Sequence, residues 1–239
     1  MRINKGINMQ QLKEKAKLIN IEISDEKIET FEKYYNRVIE CNKLYNLTSI
    51  IDKDEFIDKH FIDSIIGEKY ISKNSNVCDI GAGAGFPSIP LKIIRDDLSF
   101  TLIDSLNKRV NFLNETVKEL GLKNVFAEHL RAEEAGKGKY REKFDVIVNR
   151  AVASLPTLIE YCIPLLKVGG IMIAYKGNAE EELSISTHAL QELSCKIDTI
   201  DKYILPNTDY NRTLIIIKKV GKTKKIYPRD KNKPKLSPL

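Results

Sequence analysis

The most constraining stretch of the chain is Val77-Cys78-Asp79-Ile80-Gly81-Ala82-Gly83-Ala84-Gly85-Phe86-Pro87. A short apolar run ends in a turn of three glycines and two alanines, and a helical pattern over Phe86–Arg95 follows at once. Glycine accepts left-handed backbone and lets a ligand approach the main chain closely. A strand, a glycine turn and a helix in this order open an α/β sheet. The ligand crevice of such a sheet lies beyond the carboxyl ends of its strands.

The rest of the chain supports that frame. Apolar runs at Phe100–Ile103, Asn124–Ala127, Asp145–Val148 and Ile171–Ala174 alternate with helical patterns at Asn107–Leu120, Leu155–Leu166 and Ala179–Leu193. A polar loop is expected through Gly138 and a turn at Gly169–Gly170. Thr199–Leu205 and Arg212–Lys218 read as strands close enough to pair as a hairpin, which needs no crossover helix. Alternating strands and helices predict an α/β fold, a Rossmann-like sheet that is mostly parallel, with an antiparallel strand at its C-terminal end.

Residues 1–70 read as an N-terminal helical extension. Ser24 caps a helix that begins with Asp25 and Glu26, and Ile28, Phe31, Tyr35, Val38 and Ile39 make its apolar face. A turn follows near Tyr45–Asn46, then a helix over Asp54–Ile66 that buries Ile57, Phe61 and Ile65. Residues 71–220 form the expected ligand-binding domain and 221–239 a basic tail.

With 42% hydrophobic and 30% charged residues in 239, the chain has globular composition and enough length for a core without staples. Cys41, Cys78, Cys162 and Cys195 show no CxxC or Cys/His spacing, so neither a metal site nor a disulfide framework is expected. The first twenty residues carry charges and no apolar leader core, and no run approaches 18 apolar residues. These features predict a cytoplasmic protein without a membrane span. Of the net charge of +6, the segment Lys218–Leu239 carries +8 and the remaining body −2. A basic tail on a near-neutral body suits phosphate, although a solubilising terminus has the same composition.

The glycine spacing narrows the ligand. A dinucleotide fingerprint, GxGxxG, would require glycine where Phe86 stands, and no Gly-Lys-Ser/Thr follows for a phosphate loop. The second strand ends at Asp104, whose carboxylate can accept hydrogen bonds from two ribose hydroxyls. A nucleoside with an amino-acid arm and no pyrophosphate fits a GxGxG turn with that acid, and S-adenosylmethionine is such a ligand. The plain alternative is a packing turn that binds nothing.

These residues resemble the class I S-adenosylmethionine-dependent methyltransferases. Further motifs narrow the likeness: Asn42-Lys43-Leu44-Tyr45-Asn46-Leu47-Thr48-Ser49-Ile50, His60-Phe61-Ile62-Asp63-Ser64, Arg131-Ala132-Glu133-Glu134, Asn149-Arg150-Ala151-Val152-Ala153, Tyr227-Pro228-Arg229 and Pro238-Leu239. From about residue 20 to the C-terminus the chain is similar to the bacterial 16S ribosomal RNA guanine-N7 methyltransferases. These form the ribosomal RNA small subunit methyltransferase G family, also known as glucose-inhibited division protein B. Cys41 replaces a usual Trp, Ser88 a frequent Gly, and the lysine-rich ending is divergent.

The resemblance implies an S-adenosylmethionine site formed by Gly81, Gly83, Phe86, Asp104, Ala132, Glu133 and Arg150. Asp104 would hold the ribose, and Ala132 and Glu133 would border the adenine. Arg150, His60 and Asp63 are the candidates beside the target base, the last two sharing a helix face with Ser64. The implied partner is 16S ribosomal RNA or the small ribosomal subunit, met by the tail, Arg131, Arg150, Lys176 and lysines near the N-terminus. Cys162 reads as core rather than nucleophile, and strand four lacks the Asn/Asp-Pro-Pro-aromatic motif of amine methyltransferases. A small-molecule methyltransferase, a nicotinamide dehydrogenase and a non-catalytic RNA-binding protein are the alternatives. Phe86 argues against the second and the intact loop against the third.

Overall fold

The computed structural model describes residues 9–239. Residues 1–8, which hold part of the stretch read for a leader and the N-terminal Lys5, lie outside the described residues. A seven-stranded sheet has the order β3-β2-β1-β4-β5-β7-β6. Its strands are β1 (Asn76–Ile80), β2 (Ser99–Asp104), β3 (Val125–His129), β4 (Phe144–Arg150), β5 (Leu166–Lys176), β6 (Cys195–Ile204) and β7 (Asn211–Lys219). The first five pair in parallel, and β7 runs antiparallel between β5 and β6. The chain winds outward from β1 to β3, then resumes on the other side of β1 with β4. The order reverses between β1 and β4, and there the carboxyl ends leave a crevice.

Both faces of the sheet are covered. Residues of opposite pleat separate cleanly: Val77, Leu214 and Ile216 enter one core, and Cys78, Ile215 and Ile217 the other. The first core also receives α1 (Gln10–Leu18), α2 (Asp25–Tyr45) and the helical run Lys53–Tyr70, through Leu12, Phe31, Tyr34 and Phe61. Helices α5 (Ser88–Ile94) and α6 (Asn107–Glu119) lie on that face too. Ser24 caps α2 by accepting from Lys27 N at 3.4 Å, and Asn46, at φ +51°, ends it in the left-handed region.

Several boundaries differ from the sequence expectation. The helix expected over Asp54–Ile66 is α3 (Lys53–Phe56), a π-helical turn over Ile57–Ile62 and α4 (Asp63–Ile65). The loop expected through Gly138 contains a helix, α7 (Ala132–Lys137). Glu133 and Glu134 suit its N-terminus, and Arg131 N donates to the Glu134 carboxylate at 3.3 Å. The helix begun at Leu155 stops at Cys162 as α8, because Pro164 has no N–H to continue the ladder. The helix expected over Ala179–Leu193 is split into α9 (Glu180–Ser184) and α10 (Thr187–Glu192). Strand β5 starts at Leu166, so Gly169 and Gly170 lie within an irregular extended stretch rather than a separate turn.

The last residues follow the second face of the sheet. Tyr227, Pro228 and Pro234 are buried, and α11 (Lys233–Leu236) is the final element. Among the described residues no helix is long and apolar enough to cross a membrane.

Candidate active site

The turn after β1 is pinned to its neighbour: Gly81 N and Ala82 N both donate to the carbonyl of Ile103, at 2.8 and 3.2 Å. The three glycines serve different purposes, and all have positive φ, at +73°, +58° and +98°. A Cβ on Gly81 would come within 2.7 Å of Val152, so the turn abuts the loop after β4. A Cβ on Gly85 would meet Ile89 at 2.6 Å and the Tyr34 hydroxyl at 2.9 Å, so this residue lets helices close over the turn. A Cβ on Gly83 would find nothing nearer than the Gly81 carbonyl at 3.8 Å. Only there does the missing side chain leave room for a ligand.

Asp104 stands beneath this opening and is buried. Its carboxylate accepts from Gly83 N at 2.9 Å through one oxygen and from Leu106 N at 2.9 Å through the other. The oxygen bonded to Gly83 N also lies 3.6 Å from the Arg109 guanidinium, and the carboxylate keeps acceptor capacity for ribose hydroxyls. Asp104 therefore also shapes the glycine turn, a task its position in the sequence did not reveal. Beside it is a cavity of about 120 Å³ lined by Ile103, Leu130, Ala132, Val152 and Tyr161, with buried Glu133 at its edge. A narrow apolar slot of this kind accepts a flat purine ring.

Across Gly81 a second cavity, of about 570 Å³, opens toward the carboxyl ends of β4 and β5. Five cations line it, Lys59, Arg109, Arg150, Lys176 and Arg212, against two acids, Asp63 and Glu182. Arg150 is held on three sides. It donates to the carbonyl of Lys59 at 2.7 Å, to Asp63 at 3.0 Å and to His60 Nδ1 at 2.9 Å. Because Nδ1 accepts from a guanidinium, the proton of the neutral ring is on Nε2, which donates to Thr48 Oγ1 at 2.8 Å. Burial, followed by the Arg150 charge, pushes His60 down to about 3. The ring stacks on Phe86, with centroids 4.3 Å apart and planes within 10°. The Arg150 guanidinium lies 5.1 Å from the same Phe86 ring.

His60 and Asp63, read from sequence as candidates near the target base, thus both touch Arg150 and orient it. Ser64 turns away, donating to the His60 carbonyl. The Lys59 carbonyl and His60 belong to the π-helical turn, and Asp63 follows it directly. Lys176 donates to the carbonyl of Ala153 at 2.8 Å and to Glu182 at 2.7 Å, closing the loop after β4. Arg131 lines the smaller cavity, bonded to Asn232, and so does not lie with Arg150 and Lys176.

Two contributors escaped sequence reading. Tyr34, from α2, is fully buried and donates to the Ala84 carbonyl at 2.6 Å, steadying the glycine turn from the N-terminal helices. Asp79, two residues before Gly81, accepts from Ser88 Oγ at 2.6 Å, while its other oxygen is buried without a partner. Burial pushes its carboxyl up to about 7, against the opposing effect of Ser88 and Arg150. Its signal was its place in the Asp-x-Gly run. Cys162 is buried 3.7 Å from Asn149 Nδ2, and burial pushes its thiol up, which suits packing and not nucleophilic attack.

The fold and this two-armed crevice define a class I S-adenosylmethionine-dependent methyltransferase. Solved structures agree at the level of fold. An S-adenosylmethionine-dependent methyltransferase from Methanosarcina mazei aligns over 65% of this chain and 97% of its own, with TM-score 0.51 and 17% identity. The TYW2 protein of M. jannaschii in complex with AdoMet aligns over 72% and 80%, with TM-score 0.54 and 13% identity. The model of the family described as GidB, rRNA small subunit methyltransferase G, matches residues 27–209. The chain belongs to that family. It is 46% identical to the ribosomal RNA small subunit methyltransferase G of Lactobacillus johnsonii, over 95% of this chain and 97% of that one. It is also 46% identical to the protein of the same description in Staphylococcus epidermidis, over 98% and 99%.

Proposed function

We propose that this protein transfers the methyl group of S-adenosylmethionine to N7 of a guanosine in 16S ribosomal RNA, acting in the cytoplasm on the RNA or the small ribosomal subunit. The observation that carries the reading is the meeting of two cavities at Gly81, which lines both. One ends at Asp104 and the apolar slot, the other among five cations that suit a polyanion.

When bound, the cofactor supplies an electrophilic methyl on a sulfonium. Asp104 would accept the ribose hydroxyls, the Gly83 opening would admit the ligand against the main chain, and the slot beside Ala132 and Glu133 would take the adenine. Guanine N7 presents a lone pair in the base plane, so the protein need not remove a proton before attack. The residues around Arg150 match that requirement: His60 already has both ring nitrogens engaged and stays neutral, and Asp63 is committed to Arg150. Their contribution is to fix Arg150 and the Phe86 face, placing the base for in-line displacement and excluding water. A guanine must leave its stack to reach the crevice.

The test uses small-subunit RNA and particles from a strain lacking this activity, incubated with labelled cofactor and digested for nucleoside mass spectrometry. Label in 7-methylguanosine is expected. Label in another nucleoside would overturn the N7 assignment, and labelling of a small molecule but no RNA would favour the small-molecule alternative.

A further inference from the structure

The basic C-terminal segment has an inner face, and that face grips the two helices that wall the nucleoside slot. On α8, Arg229 donates to both oxygens of Glu160, a carboxylate with no exposed surface, at 2.6 to 3.1 Å from the guanidinium and 2.8 Å from its backbone N. Thr157 Oγ1 donates to the carbonyl of Pro234 at 2.9 Å. On α7, the Pro228 ring sits so close to Gly136 that a Cβ there would come within 2.8 Å of it. Lys137 pairs with Asp230 at 2.6 Å, and Arg131, just before α7, bonds to Asn232. Arg141 ties the two together, donating to the carbonyls of Gly136 at 2.9 Å and Tyr227 at 2.8 Å.

Two of these grips fall beside residues of the slot. Glu160 precedes Tyr161, and Arg131 precedes Ala132 and Glu133. The outer face of the same segment exposes Lys222, Lys225, Lys231, Lys233 and Lys235. A buried carboxylate with a bidentate arginine is a geometric lock more than a solubilising feature.

We infer that residues 222–239 form a strap whose Arg229–Glu160 lock positions α7 and α8, so that the strap sets cofactor affinity at the nucleoside end of the crevice. The inference rests on the reading of that crevice as the S-adenosylmethionine site. Arg229 does not line the slot, so it is a positioning residue. Because coupling is reciprocal, a ligand in the slot must also stabilise the strap.

The experiment uses the full chain, with S-adenosylmethionine affinity measured by calorimetry and amide exchange followed by mass spectrometry. Arg229→Ala is expected to weaken binding about tenfold, within the usual range of intersite coupling. Arg229→Lys, which keeps the charge but loses the fork, falls between it and the unchanged protein. Thr157→Val, which deletes one neutral hydrogen bond, gives a smaller loss and reports on the strap if Arg229→Ala fails to fold. Joint replacement of Lys231, Lys233 and Lys235 by Ala leaves cofactor affinity unchanged, and saturating cofactor slows exchange across 222–239. Unchanged affinity in folded Arg229→Lys and Thr157→Val, with strap exchange indifferent to cofactor, would overturn the inference. Absence of binding by the unaltered protein would overturn the cofactor reading instead.

Discussion

At the residue scale, two buried groups near the crevice titrate in opposite senses. His60 is pushed from 6.5 to about 3, so its unfolded form takes a proton first as pH falls. The stability held by its neutral ring is complete above pH 6.5 and is lost as pH drops toward 3. Asp79 is raised from 3.8 to about 7, so its contribution is complete below 3.8 and is lost as pH rises through 7. Between about pH 4 and 6.5 the two slopes, each at most about 1.4 kcal/mol per pH unit, oppose one another. Urea midpoints are therefore expected to change little over that window in the unaltered protein. They should rise with pH in Asp79→Asn and fall with pH in His60→Gln. Parallel profiles in all three proteins would contradict the assignment. Gly83 offers a separate check. Valine there puts a branched side chain into the opening at φ +58°, costing about 1–2 kcal/mol of backbone strain and filling the ligand's space. Equilibrium dialysis should show no S-adenosylmethionine binding by a protein that still unfolds cooperatively.

At the scale of elements, the crevice belongs to more than the sheet. Helix α2 carries Tyr34 to the Ala84 carbonyl, and the π-helical turn carries His60 against Phe86 and Arg150. The N-terminal helices therefore help build the site as well as cover a face. Tyr34→Phe keeps the ring within its aromatic cluster and deletes one buried hydrogen bond, leaving the Ala84 carbonyl short of a donor. Stability should fall by about 1 kcal/mol. Cofactor affinity should fall several-fold, because the glycine turn loses its support from α2. A variant with lower stability and unchanged affinity would separate α2 from the site. The sequence located α2 and its cap well, since a 21-residue amphipathic helix repeats its signal many times. It missed α7, whose six residues include one buried glycine and too few periodic positions to stand out from a polar loop.

At the scale of the whole molecule, charge and packing divide the C-terminal segment. Lys219, counted within the basic stretch, is fully buried and bonds to Glu142 and the Leu166 carbonyl. Arg229 is spent on Glu160, and Lys224 pairs with Glu192 at 2.6 Å. The lysines left facing solvent can still meet phosphate. Replacing Lys231, Lys233 and Lys235 by Ala should flatten the dependence of log affinity for small-subunit RNA on log salt, by about 1 for each phosphate these lysines neutralise. Filter binding across a salt series measures it, and an unaltered slope would assign RNA binding to other cations, with those around Arg150 the first to examine.

The alternation of strands and helices, the glycine turn and the acid ending the second strand were legible in the linear chain, because each depends on local periodicity or on a few adjacent residues. The family motifs around them were legible for the same reason. What the chain order could not show was which distant groups would meet. His60 and Asp63 come from one end of the molecule and Arg150 from its middle, and their shared hydrogen bonds exist only once the helices close over the crevice. The inward face of the basic tail was equally hidden. A lysine or arginine looks the same in sequence whether its partner is solvent, RNA or a carboxylate sixty-nine residues away, and only packing decides among them.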